Sequence, residues 1–363
     1  MNFIPLKVIF LIIGLIGIVL LAYFLQEYIL GISFVFGKYG QLDTFYDLPS
    51  AHWNTVEAEF ANIQLNYNIY VPINSNYCNN ADLFVFVPTW PSSFERRQVI
   101  RDTWASSENT GEKVVVKFVI GKPEDPNLST DLLEEQEKHD DLILYGHPDE
   151  IQELHIKMHA AFKWQQIVCP DVKFIFRAND DTVVDIPRLQ FWIDKEMRDD
   201  HKNNPAILFG AMRWNDGAVI RDPMRKRYVS ESDYPDDVFP PYCFGALYMM
   251  SNEAVKGILE HAHEVNAFSL DDVLYTGILA EKAAVRKIDS SKHFIRDFNY
   301  RNKQECEEID GLKVPLSTAL CCFERLSDME EACKMLRNIK CEKHGGKHHE
   351  KHRDKVADFF NKL

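Results

Sequence analysis

The chain of 363 residues lacks the features of several common functional classes. It has no excess of basic residues: its formal net charge is −14, whereas a general nucleic-acid binder needs a basic face to meet the phosphates. Its eight cysteines contain no CxxC pair of the zinc-binding kind, and no internal repeat is present. An apolar content of 46% and this length suit one catalytic-sized α/β domain with appendages.

A long hydrophobic run is present near the N-terminus. No residue between Val8 and Leu25 is charged, and the run approaches the length that a helix needs to cross a bilayer. No small-residue cleavage site follows it, and a buried core helix is rarely apolar on all faces. Since Lys7 is the one charge before the run, we predict a cytoplasmic tail at 1–7 and a signal-anchor transmembrane helix at 8–26.

The remainder of the chain is then lumenal, which suits its cysteines. In an oxidising compartment they are expected to form disulfides, with a connectivity that the sequence leaves open. A glycosylation sequon at Asn127, Leu128 and Ser129 follows two prolines in what we predict to be a surface loop. Asn127 is therefore a candidate glycosylation site.

Three further regions are distinguished by their composition. Residues 27–76 are irregular and rich in aromatics, and we interpret them as a stem of which part packs. Residues 77–340 alternate short apolar strands, such as Leu83–Val87 and Val114–Ile120, with helices, which predicts an α/β domain with a parallel, helix-flanked sheet. Residues 341–363 form a basic, His-rich tail that we expect to be solvated.

Two adjacent carboxylates end one of the predicted strands. The apolar run at residues 174–176 is followed closely by Asp180 and Asp181. Carboxylates at the end of a buried strand are costly unless a cation lies against them, and this end of a strand is where α/β sheets bind ligands. A divalent metal carrying a diphosphate would satisfy both conditions, and an Asx-rich turn is the alternative.

Four segments, in this order, resemble motifs of the β-1,3-glycosyltransferases, the galactosyl- and N-acetylglucosaminyl-transferase group to which the fringe enzymes are related. The first is similar to "RRxxIRxTW", the second to the metal motif "FKxDDDVFV", the third to "YPxYxxG", and the fourth to "(E/D)DVYxG" with one extra residue before the glycine. They are RRQVIRDTW at 96–104, FRANDDTVV at 176–184, PYCFG at 241–245 and LDDVLYTG at 270–277.

The resemblance implies a GT-A-type nucleotide-sugar-binding fold with a mixed, mainly parallel central sheet behind the transmembrane helix. It also implies a UDP-sugar donor, Mn²⁺ and inversion at the anomeric carbon. By position in the motif, Asp181 would be the direct metal ligand and Asp180 would contact metal-bound water or ribose. Asn179 replaces the first carboxylate of the motif; its amide can still bind a ribose hydroxyl, but the site loses one negative charge.

The same resemblance assigns roles outside the metal motif. Asp272 matches the family's catalytic base, with Asp271 orienting the loop, and the alternative is that Asp272 only caps a helix. His293 lies where fringe-like enzymes place a metal-binding histidine, and a surface histidine is the alternative. Gly245 would let the backbone approach the donor sugar closely.

Three arginines of the first motif are candidates for donor binding. Arginine binds phosphate through two parallel hydrogen bonds, so Arg96, Arg97 and Arg101 could approach the nucleotide diphosphate. We expect at least one of them to pair with a carboxylate of the protein instead. The sequence does not say which.

Together these features predict a single-pass type II glycosyltransferase of the Golgi membrane. It would move a sugar, with galactose our first choice and N-acetylglucosamine or N-acetylgalactosamine close behind, from a UDP-sugar to the 3-hydroxyl of an acceptor glycan on lipid or protein. Two other functions are considered. One is an inactive glycan-binding relative, suggested by Asn179, and the other is a metal-dependent hydrolase using Asp180, Asp181 and His293.

Overall fold

The structure, a computed structural model, describes residues 51–72, 78–214, 218–296 and 305–341. The predicted cytoplasmic tail, transmembrane helix and first half of the stem lie outside these residues, as does the basic tail after Cys341. Within the part of the chain that is described, none of the helices combines the length and hydrophobicity that a membrane span requires.

The described residues form a large sheet of nine strands. The strands are β1 (Ala51–Phe60), β2 (Ile63–Pro72), β3 (Leu83–Pro88), β4 (Val114–Lys122), β5 (Leu142–Pro148), β6 (Phe174–Ala178), β8 (Ile207–Arg213), β9 (Tyr242–Ser251) and β10 (Arg286–Asp289). They lie in the order β1-β2-β5-β4-β3-β6-β9-β8-β10. The centre, from β5 to β6, is parallel, whereas β1, β2 and β9 run antiparallel to their neighbours. The mixed sheet that we predicted is confirmed, but only half of its strand pairings are parallel.

Five shorter strands form two small sheets. They are β7 (Val183–Val184), β11 (Phe294–Ile295), β12 (Cys306–Ile309), β13 (Leu312–Pro315) and β14 (Ala319–Leu320). The first small sheet has the order β11-β14-β7, and the second pairs β12 with β13. Because β7 directly follows the two carboxylates, the first small sheet fixes the chain on the far side of Asp181.

Helices cover the sheet. They are α1 (Phe94–Asp102), α2 (Ser107–Thr110), α3 (Pro126–His139), α4 (Leu154–Val168), α5 (Ile186–Trp192), α6 (Arg198–Asn203), α7 (Asn252–Glu260), α8 (Ala280–Lys282) and α9 (Leu326–Arg337). The longest, α4, lies across β1 to β5, and its buried residues include Phe162 and Trp164, which pack on the phenylalanines of β3. π-Helical segments at Ile193–Met197 and Val273–Leu279 lead into α6 and α8.

Disulfides are present, as expected of a lumenal chain. Cys78 bonds to Cys169 and Cys306 to Cys341, while the neighbours Cys321 and Cys322 bond to each other. The first bridge joins the residues before β3 to the end of α4. Cys243 and Cys333 are buried free thiols.

The second half of the predicted stem differs from a linker, because residues 51–72 form the hairpin β1–β2. This hairpin extends the main sheet through β5. Along β1, buried Val56, Ala58 and Phe60 alternate with exposed residues, and Tyr67 and Ile69 of β2 are also buried. This alternation with period two was present in the sequence, but the density of aromatic residues obscured it.

The sequon at Asn127 also lies elsewhere than predicted. Asn127 is exposed, as expected, but it occupies the first turn of α3 and not a loop. The helix begins there because the Asp125 carboxylate accepts the Asn127 backbone N–H at 2.9 Å and Pro126 fits the first helical turn.

The burial of the hairpin is testable by substitution of a single residue. Ile69→Ala removes a fully buried side chain of β2 and should lower the free energy of unfolding by about 2 to 4 kcal/mol. Asn66→Ala, at an exposed position of the same strand, should change it by less than about 0.5 kcal/mol. Urea denaturation measures both, and equal midpoints would show that the hairpin is not part of the cooperative unit.

Candidate active site

The candidate site lies where the central strands end. Residues that follow β3 and β6 meet at the carboxyl edge of the sheet, where the Thr89 hydroxyl donates to Asp180 Oδ2 at 2.9 Å. Asp181 comes next and is half-buried, with the Thr182 hydroxyl 3.4 Å from its Oδ1. Its backbone carbonyl accepts the Phe323 N–H at 3.0 Å, which ties the carboxylates to the chain after β14.

These carboxylates are suited to an oxygen-binding cation. No described lysine or arginine forms an ion pair with either, and burial, followed by the charge of Asp180, raises the pKa of Asp181. Hard divalent ions bind such oxygens and take their remaining ligands from phosphate and water. The described residues contain no group of three or more His, Cys, Asp or Glu side chains that could hold a metal ion.

His293 does not join these carboxylates. It is 1% exposed, its Nδ1 lies 2.7 Å from the Leu316 carbonyl, and its Nε2 lies 3.1 Å from Glu196 Oε2. The hydrogen bond from His293, together with Lys292, lowers the pKa of Glu196 to about 2 against the effect of its partial burial. With both ring nitrogens engaged, His293 holds the β11 region against the helical segment that contains Glu196. The metal role expected for His293, and with it the three-residue hydrolase site, is not supported by this geometry.

Two of the three candidate arginines pair with carboxylates of the protein. Arg97 is fully buried and forms two hydrogen bonds to Glu135, and it also donates to the carbonyls of Trp90 and Pro91. Arg101 binds Glu135 at 2.7 Å and Asp141 at 2.7 and 2.8 Å. Both guanidinium groups therefore attach α1 to α3, Arg101 also reaches the residue before β5, and neither pairs with a carboxylate of the metal motif.

Arg96 is the arginine of this motif that faces the carboxylates. Its guanidinium donates to the carbonyls of Phe323 at 3.2 Å and Glu324 at 2.6 Å, and its charge acts on Asp181. It is half-buried, so part of its side chain is accessible to solvent. Of the three arginines, Arg96 is the candidate for a phosphate contact.

Asp272 lies against Gly245 at the other side of the site. A Cβ on Gly245 would lie 2.9 Å from the Cβ of Asp272, so only glycine permits this approach. Asp272 Oδ1 accepts the Val273 N–H at 2.9 Å, which is the capping role, whereas Oδ2 is 4.0 Å from the Arg227 guanidinium. Burial, followed by the charge of Asp271, raises the pKa of Asp272 to about 6, although Arg227 and Arg177 oppose the shift.

The antiparallel pairing of β6 with β9 brings the two halves together. The Asn179 N–H donates to the Ala246 carbonyl at 3.0 Å, one residue after Gly245. In addition, the buried Thr276 hydroxyl donates to the Asp272 carbonyl at 2.5 Å and accepts the Cys243 N–H at 2.8 Å. The metal motif and the proposed base are therefore held on the same strand, β9.

Sequence reasoning missed several residues of the site. Arg177 binds Asp271, and its Nε is 3.3 Å from Asn179 Oδ1; a lone arginine in an otherwise apolar strand was a usable signal. Lys157 donates to the Thr89 carbonyl at 2.8 Å and lies 2.7 Å from Asp149, but nothing in its helical pattern marks it. Arg227 comes from a polar loop without any recognisable pattern.

Comparison with known proteins agrees with this geometry. A family profile described as Galactosyltransferase matches residues 95–291, more than half of the chain, and includes the predicted motifs. The chain belongs to this family. The resemblance to β-1,3-glycosyltransferases that the four motifs indicated is therefore confirmed.

Individual relatives of the family carry two kinds of activity in their names. The N-acetyllactosaminide beta-1,3-N-acetylglucosaminyltransferase 2 of Homo sapiens is 27% identical over 69% of this chain and 63% of the relative. The lactosylceramide 1,3-N-acetyl-beta-D-glucosaminyltransferase B of Xenopus laevis is 29% identical over 60% of the chain and 59% of the relative. Beta-1,3-galactosyltransferase 1 of Mus musculus is 27% identical over 58% of the chain and 63% of the relative. The matched region is thus under two thirds of each relative.

The different surroundings of buried Arg97 and half-buried Arg96 can be tested by the stability of their variants. Arg97→Met removes a buried cation from Glu135 and should cost about 3 kcal/mol or more in the free energy of unfolding. Arg96→Met, in the same helix, should cost less than about 1 kcal/mol, because its partners are carbonyls and its side chain is partly exposed. Chemical denaturation compares the two, and a larger cost for Arg96→Met would contradict the assignment.

Proposed function

We propose that this chain is an inverting β-1,3-glycosyltransferase with Asp272 as its base. The observation that carries the proposal is the placement of Asp272 against Gly245, one residue before Ala246, whose carbonyl binds the metal-motif residue Asn179. A base and a pair of metal-binding carboxylates on one edge of the sheet suit displacement at a sugar carbon.

In this mechanism Asp272 Oδ2 accepts the proton of the acceptor 3-hydroxyl, since Oδ1 is engaged in the capping hydrogen bond. The acceptor oxygen then bonds to the anomeric carbon as the bond from that carbon to the diphosphate breaks, and UDP leaves with the bonding electron pair. Asp180 and Asp181 would hold a divalent ion, which we propose to be Mn²⁺ and which neutralises the diphosphate charge when bound. Arg96 adds a positive charge on the same side.

The sugar and the acceptor are proposed from the relatives. Galactose remains our first choice of donor sugar, supported by the family description and by the galactosyltransferase relative, and N-acetylglucosamine is the alternative that the other two relatives suggest. We propose a glycan on lipid or protein as acceptor. We also propose a Golgi location with a type II membrane anchor, on the strength of the hydrophobic run at 8–26 and the disulfides.

An inactive, glycan-binding relative is the second candidate, and Asn179 is the observation that favours it. A neutral amide replaces a carboxylate of the metal motif at this position. If that exchange abolished catalysis, Asn179→Asp would gain sugar transfer that the natural chain lacks. The main proposal expects transfer from the natural chain.

The proposal is tested by UDP release from the full-length chain. UDP-galactose, UDP-N-acetylglucosamine and UDP-N-acetylgalactosamine would each be supplied with and without β-linked acceptors and Mn²⁺. Release should require acceptor and metal, and it should fall at least about 100-fold in Asp181→Ala and in Asp272→Asn. Asp199→Asn, an exposed carboxylate remote from the site, is the control and should keep the natural rate.

Each result of that assay has a defined meaning. Acceptor-dependent release with one donor identifies the sugar. Release that needs no acceptor would indicate hydrolysis, and release that persists in Asp272→Asn would exclude Asp272 as the base. Binding of UDP without turnover of any donor would favour the inactive relative.

The raised pKa of Asp272 predicts a pH dependence. A base must be deprotonated, so kcat/KM should rise about tenfold per pH unit below about 6 and level off above it. Arg227 lowers this pKa, so Arg227→Gln should move the acid limb of the profile to higher pH. Arg225→Gln, on the same exposed loop, is the matched control. A profile that is flat between pH 5 and pH 7 would refute the assignment.

A further inference from the structure

A single buried guanidinium connects the two halves of the candidate site. Arg177 lies in β6 and is 3% exposed, and its Nη1 donates to Asp271 Oδ2. Its Nε is 3.3 Å from Asn179 Oδ1, and its Cζ lies 5.5 Å from the centre of the buried Tyr248 ring. One side chain thus touches the residue beside the base, a residue of the metal motif and the strand between them.

The hydrogen bonds of Arg177 restrict the positions of Asp271 and Asn179 relative to each other. A guanidinium is planar and donates in fixed directions, so the position of Asp271 relative to Asn179 is fixed once the Arg177 side chain lies on Tyr248. Asp271 directly precedes Asp272, and the Asp272 backbone carbonyl is further held by the Thr276 hydroxyl. A displacement of Asp271 would therefore be transmitted to the carboxylate of Asp272.

The charges around Arg177 are compatible with the amide at position 179. Arg177 and Asp271 are both buried and balance each other one to one, while Asn179 supplies a neutral acceptor. A carboxylate at 179 would compete with Asp271 for the same guanidinium, and one buried negative charge would stay unbalanced. In this chain, Asn179 is thus compatible with the ion pair beside the base.

We propose that Arg177 is a positioning residue that holds Asp272 through Asp271 and holds the metal-motif turn through Asn179. This inference rests on the proposed function, in which Asp272 is the base. Arg177 touches neither the donor nor the acceptor hydroxyl in that mechanism. It acts by keeping the carboxylate of Asp272 oriented and by neutralising the carboxylate next to it.

The pH profile is the readout that separates this role from a purely structural one. The charged and titratable groups that act on the pair of carboxylates are Arg177 of β6, Arg227 of the polar loop, Tyr248 and Cys243 of β9, His155 of α4, and Tyr275 of the π-helical segment. Without Arg177 the charge of Asp271 is unopposed at close range, which disfavours ionisation of Asp272.

The experiment uses the full-length chain and three variants in the UDP-release assay. In Arg177→Met, kcat at pH 7 should fall at least about tenfold, and the acid limb should move up by about one pH unit or more. In the double variant Arg177→Met/Asp271→Asn, the acid limb of the pH profile should return to its natural position or to lower pH. The rate kcat should stay low, because the Asp272 carboxylate is still not held in its orientation. Arg177→Lys retains the positive charge and should keep the acid limb near its natural position. Its kcat should still be below the natural value, because an ammonium group lacks the planar, fixed hydrogen-bond donors of a guanidinium.

Controls keep the test decisive when a variant folds poorly. Arg188→Lys alters another buried arginine–aspartate pair, with Asp185, and should lower stability without moving the acid limb. If Arg177→Met does not fold, Asp271→Asn alone removes the negative charge beside Asp272 and should move the limb to lower pH. An unchanged acid limb in Asp271→Asn, and in Arg177→Met where that variant folds, with transfer intact, would overturn the positioning role and leave the proposed function standing.

Failure of the proposed function is distinguished by a second measurement. If the natural chain transfers no sugar, the pKa of the Asp272 carboxyl can be followed by ¹³C NMR titration, with assignment through Asp272→Asn. A higher pKa in Arg177→Met than in the natural chain would support the electrostatic part of the inference without any turnover. Equal pKa values would overturn it.

Discussion

The antiparallel pairing of β6 with β9 is the constraint on which the candidate site depends. Its register runs from Phe174 opposite Ser251 to Ala178 opposite Leu247, so the chain leaves β6 beside the middle of β9. Asn179 then binds the Ala246 carbonyl, and Gly245 receives Asp272 from the next segment. A shift of one residue would turn the side chains of β6 to the opposite face and separate the carboxylates from the base.

The charged residues fall into two groups: those that form ion pairs within the protein and those that have no close partner of opposite charge. Arg97 and Arg101 are satisfied by Glu135 and Asp141, and Arg177 is satisfied by Asp271. Asp180 and Asp181 have no ion pair among the described residues, and Asp272 has only Arg227 at 4.0 Å. These carboxylates are half-buried without a close cationic partner, which is costly unless a ligand supplies positive charge, so we propose that this edge of the sheet binds ligands.

Features that depend on residues close together in the sequence were predictable, whereas contacts between residues far apart in the sequence were not. The strand before Asp180, the helix at 94–102 and the carboxylates themselves depend on local patterns and were predictable. The partners of Arg97 and His293 were not, because Glu135, Glu196 and Leu316 are 38, 97 and 23 residues away along the chain. Hydrophobic periodicity gives no information on such pairings, and the motif resemblance assigned roles by position alone. The hairpin β1–β2 was missed for a different reason: its alternation was local, but the density of aromatic residues obscured it.

The extra residue in the fourth motif has a physical account. Between Asp272 and Gly277 the chain has one residue more than the "(E/D)DVYxG" pattern, and the segment Val273–Leu279 is a π-helix. Because a π turn closes over five residues and an α turn over four, one additional residue fits without displacing the residues after it. Gly277 can thus remain packed on β9, where a Cβ would lie 3.1 Å from the Cβ of Tyr242. Thr276, within the widened turn, supplies the hydroxyl that joins Asp272 to Cys243. The insertion is therefore absorbed between the base and the glycine, and it adds a hydrogen bond that holds the base on the strand.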